Sequence, residues 1–522
     1  MRQLSLALRF RHAHPPRTFA PLCLYAAAIV VVACSSDFPN EPDSPVTLET
    51  VDWPSELHVT DVDTIEIRLR FRDSPQEITG LRLRWQSSND DVLRVVQLQA
   101  PEGGSREDTL VAQRRAVVTA RSSGPDTVHV IVDAGGGFEP AESTYVIRVT
   151  QKWVAVSAGR AHTCGLTVDS LAYCWGEGSA GKLGSGRPLA STVPVLVLGL
   201  GDLRFIAVSA GQESSCGIIR EGAAFCWGSN DEGRLGNGDP FERSQFIPAA
   251  VSGPAFKALD VGRVVCGVAD GFTAQCWGGN ADGQLGHFGG QPPPLDQCLN
   301  NNPKGCSRTP RRVSPNDTTP VFYESVTVGG HHSCGISQAP DTRLAFCWGT
   351  GPFGALGSAT TTASATPIRV AGGLQFVAIS GGGDHTCGIT TASATYCWGL
   401  NADGELGNGT TSDSRTPAAT AAGVFSSVTA GGRHSCALTA IGEAFCWGLG
   451  SSGQLGNGSA DLKLLPVKVS GGLRFEGLSS GELHTCGVVS GGSLYCWGEG
   501  AGGRLGTGDE QKRLTPTRVA EP

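Results

Sequence analysis

Residues 385–407 read HTCGITTASATYCWGLNADGELG. Two cysteines, Cys387 and Cys397, flank a short polar stretch whose residue types suit a turn. A Trp-Gly pair follows at once, and then a Gly-rich loop ending Leu406-Gly407. Cys-Trp-Gly recurs seven times along the chain, with Trp at 175, 227, 277, 348, 398, 447 and 497. The spacings are 52, 50, 71, 50, 49 and 50. One unit is thus about 50 residues long, with a single insertion of about 20, and a fixed period of that size marks a repeat architecture.

Each unit reads in one order. A Pro-x-x-Val segment comes first, as in Thr366-Pro367-Ile368-Arg369-Val370. A strand such as Phe376–Gly381 follows, then a His-Thr-Cys-Gly strand, then Tyr-Cys-Trp-Gly and the loop. Four short strands per unit, repeated seven times over residues 151–522, predict a β-propeller. Composition agrees: 73 of 522 residues are Gly, about twice the usual ~7 %. So much Gly without a three-residue period excludes collagen, and 10 Trp and 18 Cys argue against a disordered chain.

The repeat resembles the regulator of chromosome condensation family, whose pattern runs V-A-x-G-x-x-H-T, then A-L, then Y-x-W-G, then N-x-x-G-Q-L-G. The Gly-x-Leu-Gly loop after each Trp-Gly separates it from a kelch propeller. Strand alternation puts Tyr173 and Trp175 on one face and Cys174 on the other, so both faces are expected to be buried between blades. Two residues after Trp-Gly stand Gly178, Asn230, Asn280, Gly351, Asn401, Gly450 and Gly500, which points to positive φ there. The loop leucines (183, 235, 285, 356, 406, 455 and 505) are expected to plug slots between blades. No Pro-x-x-Val segment precedes Trp153, and none of the seven units follows Thr515–Val519. The expectation is therefore that Pro516–Val519 completes the first blade and closes the ring.

Seven cysteine pairs flank the hairpins: Cys164 and Cys174, Cys216 and Cys226, Cys266 and Cys276, Cys334 and Cys347, Cys387 and Cys397, Cys436 and Cys446, and Cys486 and Cys496. Spacing across a tight hairpin sets each pair opposite at disulfide range. The insertion adds Cys298 and Cys306. No C-x-x-C occurs, which disfavours zinc knuckles and redox centres.

Residues 1–33 hold Arg2, Arg9, Arg11 and Arg17, no acid, and an apolar run from Leu22 to Ala33, which reads as a signal peptide. The run ends Val31-Val32-Ala33-Cys34, which resembles a bacterial lipoprotein box with lipid on Cys34. That resemblance implies an extracytoplasmic, lipid-anchored protein at the outer membrane or cell surface, an environment that permits disulfides. Removing the signal leaves 36 basic against 48 acidic residues, a formal charge of −12, which excludes a nucleic-acid binder. Residues 34–46 read as a lipidated linker. Residues 47–150 alternate, as in Thr64–Arg70 and Thr127–Val132, and so predict half-buried strands. Leu83-Arg84-Trp85-Gln86-Ser87-Ser88-Asn89 is similar to the core of bacterial Ig-like domains. The fold class is all-β: a small Ig-like β-sandwich, then the seven-bladed propeller.

Several motifs imitate chemistry. Gly448–Gly453 fits G-x-G-x-x-G, as do segments from Gly176, Gly349 and Gly498, but no helix follows. Gly477–Gly481 fits G-x-S-x-G but aligns with a propeller strand. His162, His332, His385, His434 and His484 recur two before the first hairpin cysteine, with Ser214 and Val264 in the other blades. A ring of imidazoles suits metal or anions; the resemblance implies structural hydrogen bonds instead. The Asn-Ala-Asp-Gly loops at 280–283 and 401–404 lack a calcium ligand set. The insertion, roughly His287–Thr319, carries Lys304, Arg308, Arg311 and Arg312, a candidate partner contact on an acidic protein. These readings lead to a monomeric, non-catalytic scaffold without cofactor, binding a protein or glycan. Two alternatives stand beside it. One is guanine-nucleotide exchange, which the family resemblance implies and the export signal opposes. The other is inhibition of a secreted enzyme.

Overall fold

The computed structural model describes residues 151–522 apart from 200, 202, 288–294, 297, 299–304, 314–320, 339–342 and 422, together with the backbone of strands between 46 and 150. The signal segment and Cys34 lie outside the described residues, as does Lys304. The N-terminal strands form two four-stranded sheets. One joins Val46–Val51, Val62–Phe71, Arg115–Ala120 and Leu93–Gln97; the other joins Glu56–His58, Ala141–Thr150, Gly124–Asp133 and Arg82–Ser87. The alternating runs Thr64–Arg70 and Thr127–Val132 both lie in strands.

From Trp153 onward the chain is a seven-bladed β-propeller, each blade an antiparallel four-stranded meander. Blade 1 runs Trp153–Ala158, His162–Thr167, Ala172–Gly176 and Ser191–Leu196. The innermost strands of blades 2 to 7 are Phe205–Ala210, Phe256–Val261, Tyr323–Val328, Phe376–Gly381, Ser427–Ala430 and Phe475–Ser480. Each touches the next, and the seventh touches the first.

The meander begins one strand later than the sequence order suggests. Each Pro-x-x-Val segment is the outermost strand of the blade before it. Arg513–Arg518 pairs with Leu494–Gly498, setting Tyr495 against Arg518, so Pro516–Val519 completes blade 7, and blade 1 is completed by Ser191–Leu196. The ring therefore closes without strand exchange. The reason lies in the Gly-rich loop, which leaves its own sheet, fills the seam with the next blade and returns to the edge it left.

That loop makes the core. Seven apolar clusters each span a seam: Leu183 lies with Phe205 and Trp227 of the next blade, and Leu505 of blade 7 lies with Trp153 and Trp175 of blade 1. All seven loop leucines and all seven repeat tryptophans are fully buried. Within each blade the first aromatic of the innermost segment meets that tryptophan, at ring centroids 5.6–6.0 Å apart. Burying one leucine side chain contributes roughly 1.5–3 kcal/mol, so the seams are the main apolar stabilisation of the ring.

The cysteines lie on the middle hairpin of each blade, and the register there is the one their spacing predicts. Cys164 stands directly across from Cys174, Cys216 from Cys226, Cys266 from Cys276, Cys334 from Cys347, Cys387 from Cys397, Cys436 from Cys446 and Cys486 from Cys496. In all seven pairs the sulfurs are joined and the Cα atoms are 4.0–4.1 Å apart. The three extra residues between Cys334 and Cys347 lengthen the turn and leave the pairing unchanged. In the insertion Cys298 is joined to Cys306, at a Cα–Cα distance of 6.0 Å.

Backbone conformation corrects one expectation. Gly178, Asn230 and Gly500 have φ of −109°, −106° and −99°, and the other four residues of that position are not at positive φ. Positive φ falls instead on the Gly of Trp-Gly, from 98° to 112° in all seven blades. The position two further on selects Gly and Asn for other reasons. The Oδ1 atoms of Asn230, Asn280 and Asn401 accept the N–H of the loop leucine at 2.9–3.2 Å. At Gly178, Gly450 and Gly500 the returning loop passes too close for any Cβ.

Candidate partner-binding faces

The recurring polar side chains meet at the seams. Nε2 of His162 lies 2.7 Å from Ser215 Oγ, His332 2.8 Å from Thr386, His385 2.9 Å from Ser435, His434 2.8 Å from Thr485, and His484 2.8 Å from Thr163. Each of these hydroxyls donates to a loop carbonyl of the blade before it, as Thr386 does to Ala355 at 2.9 Å and Ser435 to Glu405 at 3.0 Å. Its single proton is thereby used, so the imidazole must donate from Nε2. Loop carbonyls at this position accept Trp Nε1–H in five blades, at 2.8–3.1 Å, and three of them, those of Ala355, Glu405 and Gln454, also accept from these hydroxyls. Burial holds the imidazoles neutral: the pKa is lowered to about 3 at His162, His385 and His434 and to about 4 at His332. The histidine ring is a framework element.

A second ring lies nearer the axis. In every blade one hydroxyl or carboxylate of the innermost strand accepts a backbone N–H of the next blade. The acceptors, in order, are Ser157, Ser209, Asp260, Thr327, Ser380, Thr429 and Ser479, the last from Ala158 of blade 1, at 2.7–3.1 Å. The sequence reading missed this ring, because a lone Ser or Thr in a strand looks ordinary; its recurrence four residues after each buried aromatic was the available signal.

At one end of the channel a glycine collar surrounds a cavity of about 90 Å³. Backbone bonds run round it from blade to blade, such as Arg160 N–H to Gly211 O at 3.0 Å, Gly383 to Gly431 at 3.0 Å, and Glu482 back to Gly159 at 3.2 Å. No such bond joins blades 3 and 4 among the described residues. The turn of blade 3 is one residue shorter: three residues separate Gly262 from Cys266, against four between Gly159 and Cys164. The repeat histidine is also absent there, replaced by Val264. Asp260 offsets the loss, accepting from Val328 N–H at 2.7 Å and Val261 N–H at 3.0 Å; burial pushes its pKa up. Beside this seam stands a partly exposed polar group in which Asp282 Oδ2 lies 2.9 Å from His331 Nδ1 and 3.6 Å from Arg263.

The insertion residues divide. Cys306–Arg312 is the outermost strand of blade 3, and Thr309-Pro310-Arg311-Arg312-Val313 is its unrecognised Pro-x-x-Val segment. The added loop therefore precedes Cys306. Arg308 is turned inward, its guanidinium 3.0 Å from Glu242 of blade 2. Arg311 donates to Ser307 Oγ at 3.2 Å, and Arg312 is exposed. Glu242, at φ 51°, holds a loop that projects Phe241, 68 % exposed. Glu242 with Cys298 and Cys306 is a grouping of metal-ligand type, but the two sulfurs are joined and the carboxylate is engaged with Arg308.

Comparison with known proteins bears on this framework. The chain matches the Regulator of chromosome condensation (RCC1) repeat over residues 153–182, 169–218, 221–269, 344–389, 394–438, 425–454, 442–488 and 491–522. The stretch between 269 and 344 contains the insertion. The human E3 ubiquitin-protein ligase HERC2 is 28 % identical over 173 residues, 33 % of this chain and 4 % of that protein. The human probable E3 ubiquitin-protein ligase HERC4 is 30 % identical over 220 residues, 42 % of this chain and 19 % of that one. The chain thus spans a small part of the curated relatives it matches. Among solved structures, human WBSCR16 superposes with a TM-score of 0.58 at 20 % identity, covering 67 % of this chain and 94 % of that one. Prp20p of Saccharomyces cerevisiae superposes with a TM-score of 0.57 at 21 % identity, covering 68 % and 87 %, and its structure was described with its binding to Gsp1p and histones. At such identities the likeness is one of fold.

Proposed function

Because the chain belongs to the Regulator of chromosome condensation (RCC1) repeat family, we propose that it is a non-catalytic propeller scaffold that binds a protein or glycan partner, held outside the cytoplasm by lipid on Cys34. One observation carries this reading. The side chains that recur through the repeat, His, Ser or Thr, Trp and Leu, are engaged between blades. Selectivity then falls to what differs from blade to blade: the rim loop with Phe241, the exposed Arg312, Lys304, and the Arg263–Asp282–His331 group. The joined cysteines suit an oxidising compartment.

Fractionation tests the anchoring: the intact protein is expected with membranes and a Cys34→Ser variant in the soluble fraction. Recovery of the reduced protein from the cytosol, with exchange activity on a small GTPase, would reject the scaffold reading. Because Cys306–Arg312 is a blade strand, deleting 287–319 would damage the fold. The contact is better tested by Arg312→Glu, expected to reduce partner cross-linking in intact cells while leaving the unfolding midpoint unchanged.

A further inference from the structure

The seven seams are of two kinds. Five close on an imidazole–hydroxyl pair. The other two both flank blade 3, with Ser214 and Val264 at the histidine position. The space is refilled from the facing blade. Opposite each histidine, the acceptor of the second ring is followed by a small residue: Ala210, Gly381, Ala430, Ser480 or Ala158. Opposite Ser214 and Val264 the same position holds Val261 and Val328. In blades 4 to 7 a Cβ on the collar glycine (Gly329, Gly382, Gly431 or Gly481) would meet the imidazole Cε1 at 2.4–2.5 Å. On Gly211 and Gly262 it would meet Val261 Cγ1 at 2.5 Å and Val328 Cγ1 at 2.7 Å. Valine thus stands where the imidazole would be, and Val261 with Val265, and Val264 with Val328, are buried in their seams.

Protons act differently on the two kinds. A closed histidine seam holds its imidazole neutral and an opened one frees it, so acid favours opening there. Burial does most of this. Neighbouring charges add to it: Lys182 and Arg504 beside His162, Arg504 beside His484, His331 beside His332, and other seam histidines beside His385 and His484. Glu405, near Asp403 and Arg433, opposes it at His385, because burial raises its pKa. Around blade 3 the buried carboxylate Asp260 accepts Val328 N–H at 2.7 Å; burial raises its pKa, so acid favours the closed form there. The other charges at these two seams form groups of both signs: Arg234 with Asp231, Glu232 and Glu213, and Arg263 with Asp282 and His331. We propose that the propeller is an acid-responsive ring with a fixed arc: mild acid loosens the histidine seams, while blades 2, 3 and 4 stay joined through their valine seams. Phe241, Arg312 and the Arg263–Asp282–His331 group all lie on that arc, so a partner bound to them keeps a rigid surface in acid. This last link rests on the scaffold reading; the two kinds of seam do not.

Each seam is crossed by a backbone N–H that reports its opening. The test is native-state hydrogen exchange of the full chain, read residue by residue by mass spectrometry at ~pH 7.5 and ~pH 5 and corrected for intrinsic rates. It compares Ala158, Gly381 and Ser480 at histidine seams with Val261 and Val328 at valine seams. Protection of the first three is expected to fall ~30-fold in acid, the factor by which one freed imidazole of pKa ~6.5 favours an opened form, and that of the two valines less than ~3-fold. The variant His434→Val with Ser480→Val copies the seam of blades 3 and 4 onto that of blades 6 and 7, since Thr485 donates to Gln454 O as Ser333 does to Gln284 O. Its N–H at position 480 should lose the acid response while Ala158 and Gly381 keep theirs. Equal loss at Val261 and Val328, no loss at the histidine seams, or an unchanged response at position 480 of the folded variant would overturn the proposal. If the variant does not fold, the wild-type comparison decides alone. Failure to find a partner would reject the scaffold reading and leave these exchange results as they are.

Discussion

An imidazole that donates from Nε2 and is shut from water between two sheets takes up a proton only at a large cost in stability. His162, His332, His385 and His434 ionise near pH 3–4 in the folded protein, against ~6.5 in the unfolded chain, and burial holds His484 well below its ordinary value too. Between those values the unfolded chain binds protons that the folded one does not, so stability rises with pH and is lost as pH falls below ~6.5. Each buried imidazole contributes up to ~1.4 kcal/mol per pH unit in that window. Glu405, raised to about 7 by burial, acts in the opposite sense but is one group against five. The urea midpoint is expected to be level from pH 7 to 8 and to fall steeply below pH 6; a level midpoint down to pH 4 would refute the histidine ring. Thr386→Val orphans the Nε2–H of His332 and should cost ~1–3 kcal/mol in the same assay, and Thr386→Val combined with His332→Val should cost less than the single change. The chain contains this experiment already: Val265 stands at the hydroxyl position of blade 3, and the residue facing it in blade 2 is Ser214 in place of His. The histidines were legible from their spacing. Their hydroxyl partners were not, because the pairing crosses about 50 residues of sequence and the partner type is common in any strand.

At the scale of the element, the outermost strands share a device. Each carries Pro at one position: Pro194, Pro248, Pro310, Pro367, Pro417, Pro466 and Pro516. These are free edges, and Pro lacks the N–H that another chain would pair with. Pro466→Val is expected to leave the unfolding midpoint within ~1 kcal/mol and to raise light scattering on concentration; unchanged scattering would remove this role. The sequence order of the unit was legible, but its starting point was not. A meander read from a repeating string has no first strand, and the unpaired segments at the two ends suggested an exchange that the returning loop makes unnecessary. Since Leu505 closes the last seam as Leu406 closes an inner one, Leu505→Ala and Leu406→Ala should destabilise equally, by ~2–5 kcal/mol; a far larger effect at Leu505 would mean a closure of another kind. The cysteine hairpins were legible from spacing alone, because register Cys387↔Cys397 follows from a tight turn.

For the whole molecule, the sevenfold ring was visible in seven Trp-Gly pairs, whereas the break in its symmetry at blades 3 and 4 was hidden by one missing residue between Gly262 and Cys266. Peptide mapping without reductant is expected to recover the seven hairpin pairs and the bridge between Cys298 and Cys306; free thiols in the hairpins would place the folded protein in a reducing compartment. Each hairpin bridge contributes up to roughly 3 kcal/mol in the entropic account, so full reduction should lower the midpoint far more than loss of any single pair. The absence of strand exchange reaches beyond the folded chain. Every blade is one uninterrupted stretch of the chain, so an exchange between two repeats transfers an intact sheet. Lineages can then gain, lose or replace sheets one at a time, and each new sheet arrives with its own outer edge already guarded.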